Sequence, residues 1–235
     1  MTTTTIILIS HMKPFLDEAL ASVAAQTRTD FECVVVDSGQ WLGRHDDVSV
    51  EMARIFGKWA SRDYPWLQWV TTGEDASLRE RACPVSVATN IAIRGGWVRG
   101  RYVCHFYDDD EYHPQFIERM AGYLDDHPDT QAVWCSQDRL RIERDGNRRL
   151  DGNIPAYDGL GPGMIDCRVD GGQVMYRRTA LDAMGDPWMS EERGSCSHSD
   201  GIFLERLATI TGPFGAISDT LVTHRFTPYS TYSPT

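Results

Sequence analysis

Four consecutive acidic residues follow a short apolar segment in the stretch "YVCHFYDDDEYHP", residues 102–114. Asp108, Asp109, Asp110 and Glu111 repel one another when ionised, and such a cluster is costly at the mouth of a buried strand unless a cation binds there. An Asp-x-Asp pair at a strand end offers hard oxygen ligands, which Mg²⁺ and Mn²⁺ prefer. Alternatively, the acids form a solvated turn that complements the N-terminus of the next helix.

The segments around this cluster alternate between strand and helix patterns. Buried strands are predicted at 5–10, 31–37, 66–70, 102–107 and 131–136, with helices at 13–27, 47–62, 84–96 and 114–127. This alternation indicates βαβ units and a mostly parallel sheet covered on both faces. Ligands bind beyond the carboxyl ends of such strands. We therefore expect the first two strand ends, Ser10-His11 and Asp37-Ser38, to open onto the same crevice as the acids.

The second half of the chain has a different pattern. Residues 139–150 alternate in polarity around Asp145-Gly146, which predicts a hairpin, and the Gly- and Pro-rich residues 151–172 predict a loop over the site. The remaining elements are a strand and helix at 173–185, a helix at 198–212 with Ser199 as N-cap, and a strand at 215–226. Within residues 173–185 the helix is predicted to follow the strand, with its N-cap near Thr179.

We interpret the chain as a single domain with two functional halves. Residues 1–112 or so would bind a nucleotide, about 113–226 would face an acceptor, and 227–235 would form a loose tail.

Composition and charge narrow the class of protein. The net charge of −11, from 23 basic and 34 acidic residues, argues against nucleic acid or anionic membrane as a partner. The apolar runs are too short to span a bilayer, and the N-terminus lacks the basic region of a signal peptide. Six cysteines without a C-x-x-C pair indicate buried thiols in a reducing compartment. We therefore expect a cytoplasmic protein without a transmembrane segment.

The stretch "FYDDDEYHP" resembles the metal-binding stretch of family 2 glycosyltransferases, where Asp-x-Asp, a further acid and a proline helix start follow an apolar strand. Further segments resemble this family in the same order: "KPFLDEALASVAAQTRTDFECVVVDSGQ", "CPVSVATNIAIRGGWVRGRYV", "GGQVMYRRTALDAMG" and "CSHSDGIFLERL". The resemblance covers most of residues 5–226. It implies the α/β GT-A fold: a Rossmann-like, mostly parallel central sheet flanked by helices, with a smaller mixed C-terminal part.

This resemblance implies a nucleoside diphosphate sugar as donor, with a UDP-sugar favoured, and a divalent cation, Mn²⁺ or Mg²⁺. Asp110 would be the principal metal ligand, and Asp108 would contact the ribose or the metal. Asp37 would bind the uracil or the ribose. Ser10 and Asp109 complete the predicted donor site. The cation would neutralise the diphosphate as it leaves.

The resemblance also assigns residues in the second half. Asp200 would be the general base that takes the proton from an acceptor hydroxyl, although an acid at this position could also complement a helix N-terminus. Glu191 and Glu192 are the rival candidates for the base. His224 matches a position from which some relatives supply a further metal ligand, and its imidazole suits Mn²⁺ better than Mg²⁺.

The sequence therefore predicts a metal-dependent, inverting glycosyltransferase acting on a small-molecule or glycan acceptor. Inversion follows from one carboxylate base with no obvious second nucleophile. Relatives that build long polymers carry a Gln-x-x-Arg-Trp motif and membrane helices, which this sequence lacks, so we expect non-processive transfer. Because Ser38 replaces the second acid that many relatives have after Asp37, the donor base stays open.

Two other functions are compatible with parts of this sequence. A non-catalytic binding protein with the GT-A fold would be favoured by loss of the base or the metal ligands. A Mg²⁺-dependent nucleotidyltransferase usually has a Gly-rich loop after its first strand, which "SHMKPFLDE" lacks.

Overall fold

The computed structural model describes most of the chain, with short gaps. The described residues are 2–11, 15–37, 46–60, 62–71, 82–165, 168–192, 194 and 198–227. Ser38, Cys167, Cys196 and the tail 228–235 lie outside them. The four cysteines within them are all buried: Cys33, Cys83, Cys104 and Cys135.

Strands and helices alternate through the first two thirds of the chain. In order they are β1 Thr4–Ser10, α1 Leu16–Ala24, β2 Phe31–Asp37, α2 Asp46–Trp59, β3 Leu67–Thr71, α3 Pro84–Arg94, β4 Tyr102–Tyr107, β5 Asp110–Tyr112, α4 Phe116–Asp126, β6 Ala132–Ile142, β7 Arg148–Ile154, β8 Val174–Arg177, α5 Thr179–Met184, α6 Ser199–Thr211 and β9 Gly215–Phe226. A single 3₁₀ turn, Gly171–Gln173, precedes β8.

The strands of the described residues form one mixed sheet in the order β3-β2-β1-β4-β8-β6-β9-β5, with β7 beside β6. β3, β2, β1 and β4 run parallel to one another, and β6 runs parallel to β9. β8, β5 and β7 are antiparallel to their neighbours. The predicted α/β class is therefore confirmed: parallel strands β1 to β4 form a central sheet flanked by helices, with a smaller mixed C-terminal part.

The central strands β1, β2 and β4 are buried on both faces, because both faces are covered. In β1, Ile6 and Leu8 pack into the core that contains α1, whereas Ile7 and Ile9 pack into the core that contains α3 and α6. Alternate side chains of a strand point to opposite faces, so one continuous apolar run serves both cores. The two cores hold the carboxyl ends of β1, β2 and β4 at one edge of the sheet.

Several predicted boundaries and caps are corrected by the structure. Helix α6 begins at Ser199, but its N-cap residue is His198, which makes no side-chain capping bond. Similarly, Arg178 rather than Thr179 occupies the N-cap position of α5. The first residues of the predicted loop, 151–154, belong to β7 of the hairpin. No helix within the described part of the chain has the length and apolar character needed to cross a bilayer.

Candidate active site

The acid turn, residues 108–110, lies between β4 and β5 at the carboxyl edge of the sheet. Asp108 and Asp110 are fully buried, and Asp109 is 5% exposed. Ionised carboxylates are rarely buried without partners, because desolvating a charge is costly. The alternative of a solvated acidic turn is therefore wrong for these three residues.

Asp108 links the acid turn to the end of β1 through two hydrogen bonds. Its Oδ2 atom accepts hydrogen bonds from the Ser10 hydroxyl at 3.0 Å and from the backbone N–H of His11 at 2.7 Å. Ser10 is also the register partner of Asp37 on β2, and Asp37 is buried. The structure thus brings Ser10, Asp37 and Asp108 together at one edge, as the sequence predicted for the ends of parallel strands.

Arg225 holds the backbone of the acid turn through hydrogen bonds to two of its carbonyl groups. This fully buried guanidinium donates through Nε to the carbonyl of Asp109 at 2.5 Å and through Nη2 to the carbonyl of Asp110 at 3.0 Å. Its Nη1 atom donates to Glu18 of α1 at 2.6 Å. One planar fork therefore connects β9, α1 and the turn, which limits how far the carboxylates of the turn can move.

Asp110 and His224 face each other because β5 and β9 are paired. They are register partners, and Nδ1 of His224 lies 2.9 Å from Oδ1 of Asp110. Burial raises the pKa of Asp110, an effect that His224 opposes. Burial favours the neutral imidazole of His224, but the charge of Asp110 raises its pKa to about 9. Two predicted metal ligands, more than a hundred residues apart in sequence, are thus neighbours in the structure.

A carboxylate oxygen beside Gly172 suits a hard cation. Oδ2 of Asp110 is buried and has no hydrogen-bond partner among the described residues. A Cβ atom at Gly172 would lie 3.4 Å from it. Native structures leave few buried polar atoms unpaired, and an ion is one reason for an exception. No group of three or more His, Cys, Asp or Glu spaced for a metal occurs within the described residues, so Asp110 and His224 supply only part of a ligand set.

Asp200 lies at the start of α6 and is held by two backbone groups. Its Oδ2 accepts from the N–H of Gly171 at 3.2 Å, and its Oδ1 accepts from the N–H of Gly201 at 2.9 Å. Burial and the charge of Asp170 raise the pKa of Asp200, while these two hydrogen bonds lower it. The carboxylate is therefore oriented, and its proton affinity is higher than that of an exposed aspartate.

The 3₁₀ turn connects the carboxylates of Asp110 and Asp200. Gly172 lies beside Asp110, and Gly171 donates to Asp200. Asp170 begins this turn with a capping box, in which its side chain accepts from the backbone of Gln173 and the Gln173 side chain accepts from its N–H at 3.0 Å. The two glycines thus bring the metal-ligand candidate and the base candidate to one short segment.

Two members of this site were missed in the sequence. Asp170 contributes negative charge that raises the pKa of both Asp110 and Asp200. The hydroxyl of Tyr107 packs against Gly171, where a Cβ atom would lie 2.7 Å from it. The only available signal was an acid followed by two glycines ahead of a predicted strand, which marks a turn rather than a site.

The rival base candidates are held elsewhere. Oε1 of Glu191 accepts from the Asn90 amide at 2.8 Å and lies 3.1 Å from Nη1 of Arg94. Glu192 forms an isolated bridge with Ala82. Both acids thus belong to the contact of residues 189–192 with α3 and the segment before it. Asp200, unlike Glu191, bonds directly to the turn beside Asp110.

Solved structures share this fold at low sequence identity. The structure matches Staphylococcus aureus TarS, residues 1–349, with a TM-score of 0.65, 16% identity, and coverage of 95% of this chain and 60% of that chain. The same TarS fragment in complex with UDP-GlcNAc gives a TM-score of 0.68 at 17% identity, covering 95% and 58%. The mannosyltransferase PcManGT from Pyrobaculum calidifontis, in complex with GDP-Man and Mn²⁺, gives 0.59 at 17% identity, covering 95% and 56%.

Comparison of sequences gives one relative that spans almost the whole chain. Protein CgeD of Bacillus subtilis (strain 168) is 27% identical over 233 residues, which covers 96% of this chain and 50% of CgeD. The chain therefore spans about half the length of this relative, and less than two thirds of the similar solved chains. No family model matches the chain.

Proposed function

We propose that this protein is a metal-dependent, inverting glycosyltransferase of the family 2 type. It would move a sugar, a hexose in the simplest case, from a nucleoside diphosphate sugar to a hydroxyl of a small-molecule or glycan acceptor. A UDP-sugar is the favoured donor. The observation that carries the proposal is the 3₁₀ turn at 171–173, which places Gly172 beside Asp110 and binds Asp200 through Gly171.

The known structures with this fold support the choice of donor and cation. One of them holds UDP-GlcNAc, and another holds GDP-Man and Mn²⁺. In this chain the buried Oδ2 of Asp110 and the imidazole of His224 would hold the cation, which when bound would neutralise charge on the departing diphosphate. Ser10, Asp37, Asp108 and Asp109 would line the nucleoside side of the site.

Asp200 would act as the general base. Its carboxylate takes the proton of the acceptor hydroxyl while the acceptor oxygen forms a bond to the anomeric carbon, and the bond from that carbon to the diphosphate breaks. A nearby second carboxylate, Asp170, caps the 3₁₀ turn with its side chain. A single base without a separate nucleophile supports one in-line displacement, and hence inversion at the anomeric carbon. We also propose that transfer is non-processive.

Nucleotide binding with and without metal tests this proposal. Thermal unfolding is measured with UDP, GDP, ADP and CDP, each in Mn²⁺, Mg²⁺ or EDTA. Because a ligand that binds only the folded state stabilises it by about 2.7 kcal/mol at a hundredfold excess over Kd, we expect one nucleotide to raise the melting temperature in metal and to lose this effect in EDTA. If no nucleotide shifts the transition in any metal, the protein is a non-catalytic member of this fold class.

A Cβ atom at Gly171 should impair the reaction. It would lie 2.7 Å from the Tyr107 hydroxyl and 3.4 Å from Cβ of Asp200. In Gly171→Ala we expect release of nucleoside diphosphate from its sugar to slow by about 10–100-fold, since small misplacements of catalytic groups have effects of this size. Gly161→Ala is the control, because a Cβ atom at Gly161 would lie no closer than 3.5 Å to any atom beyond its chain neighbours, the nearest being Cγ of Pro213. Equal rates in both variants would contradict the role of the turn.

A further inference from the structure

The face of the sheet beside the Asp110–His224 pair carries polar groups that have no partner among the residues that the structure describes. Gln137, Arg139 and Arg141 of β6 are the register partners of Val222, His224 and Phe226 of β9, so the six side chains share one face. Because β6 lies between β8 and β9 in the sheet, these side chains extend from the candidate metal pair along the same face. They therefore continue the site beside His224.

The amide of Gln137 is fully buried and unpaired. Neither its Nε2 nor its Oε1 has a hydrogen-bond partner among the described residues. Its register partner Val222 lies 4.0 Å from the position of a Cβ atom at Gly172, next to the free oxygen of Asp110. An unpaired buried amide is destabilising unless water or a ligand meets it. Both the donor and the acceptor of this amide are available beside the site.

Arg139 is a half-buried cation that has no ion pair or hydrogen bond within the described part of the chain. Its Nε atom is buried and unpaired, and its guanidinium lies 5.8 Å from the ring centroid of Phe226. The neighbouring Arg141 differs in having a carboxylate, Oδ2 of Asp151, 2.8 Å from its Nη2. An unpaired guanidinium is unexpected in a protein with a net charge of −11. Such a group suits an oxyanion, which its planar fork binds through two hydrogen bonds.

We propose that Gln137 and Arg139 form a subsite for an oxyanion, a phosphate or carboxylate, on the acceptor. Assigning it to the acceptor rests on the proposed function. In the sheet Arg139 on β6 lies directly beside His224 on β9. Under the proposed function, the cation that Asp110 and His224 would hold neutralises the donor diphosphate, which leaves the charge of Arg139 for an oxyanion of the acceptor.

Binding of inorganic phosphate to the protein in EDTA tests the subsite directly. The stabilisation by sodium phosphate is compared with that by sodium chloride at equal ionic strength. We expect phosphate to stabilise the wild type specifically, and Arg139→Gln to weaken phosphate binding by about tenfold. Arg141→Gln is the matched control, since it removes the same charge from the same face two residues away. No phosphate-specific effect in the wild type, or equal losses in both variants, would overturn the proposal.

A second variant tests Gln137 without removing charge. Gln137→Met has a similar shape and leaves no unpaired amide, so we expect the melting temperature to rise by roughly 2–4 °C while phosphate affinity falls. This combination is not expected of a residue whose role is structural. Unchanged phosphate affinity in Gln137→Met would remove Gln137 from the subsite.

Nucleotide binding in metal separates the two possible sources of the oxyanion. If Arg139→Gln leaves the affinity for the nucleoside diphosphate unchanged, the subsite serves the acceptor. If nucleotide affinity falls as much as phosphate affinity, Arg139 contacts the donor diphosphate, and the acceptor assignment is wrong. If no nucleotide binds but phosphate binding still depends on Arg139, the glycosyltransferase proposal fails and the anion subsite stands.

Discussion

Asp110→Asn is expected to abolish metal-dependent nucleotide binding while leaving the protein folded. The substitution keeps the shape of the side chain but removes the charge beside His224, and an amide is a weaker ligand for a hard cation than a carboxylate. Removing one preorganised electrostatic contact costs other enzymes about 10²–10³-fold in kcat, and we expect a loss of this order in metal-dependent affinity. Nucleotide affinity in Mn²⁺, measured by calorimetry, should therefore fall to the value that the wild type shows in EDTA.

The stability of the same variant gives an independent check. Asn removes a buried carboxylate that is costly to ionise, but it also removes the charge that raises the pKa of His224 to about 9. These two effects oppose each other, so we expect metal-free Asp110→Asn to unfold cooperatively at a melting temperature close to that of the wild type. A loss of nucleotide binding caused by misfolding would instead remove the cooperative transition or lower its temperature strongly.

Glu111→Gln is the matched control for Asp110→Asn. Glu111 is the next residue of β5, carries the same charge and points to the opposite face of the strand. It should retain metal-dependent binding. Equal losses in both variants would indicate that the general negative potential of the acid turn, rather than ligation by Asp110, attracts the metal.

Local sequence patterns predicted the sheet edge well, because they depend on short-range physics. The buried runs that end at Ser10, Asp37 and Tyr107 are β1, β2 and β4, three of the four neighbouring parallel strands. Parallel strands of equal direction bring their carboxyl ends to one edge, so the location of the acids followed from the pattern alone. The last strand, Gly215–Phe226, was also predicted with its bounds.

Contacts between distant segments could not be predicted in this way. The three-residue strand β5 is too short to show a periodicity, and without its pairing to β9 nothing in the sequence places His224 beside Asp110. Arg139 was predicted as part of a hairpin, and Gln137 fell between that hairpin and the predicted strand at 131–136. Their lack of partners among the described residues appears only once β6 lies between β7, β8 and β9. The capping turn at Asp170 was hidden in a segment predicted as a loop.

The role of Asp170 is separable from that of Asp200. Asn is also a good capping residue, so Asp170→Asn should keep the 3₁₀ turn intact. Because the charge of Asp170 raises the pKa of Asp200, its removal should lower that pKa. We expect Asp170→Asn to retain transfer and to move the acidic limb of its pH–rate profile to lower pH. Asp170→Asn therefore removes one negative charge from the site while the proposed base, Asp200, is retained.

Asp200→Asn is expected to slow transfer by about 10²–10⁴-fold, the usual contribution of a general base. Asn can still accept the hydrogen bond from Gly171, so nucleotide affinity in metal should be unchanged. The measurement is kcat for release of nucleoside diphosphate from its sugar, beside calorimetric affinity for the nucleotide. In the wild type, kcat/KM should rise with pH through the raised pKa of Asp200, since only the carboxylate accepts the proton. Wild-type turnover in Asp200→Asn, with a loss in Glu191→Gln, would transfer the role of base to Glu191.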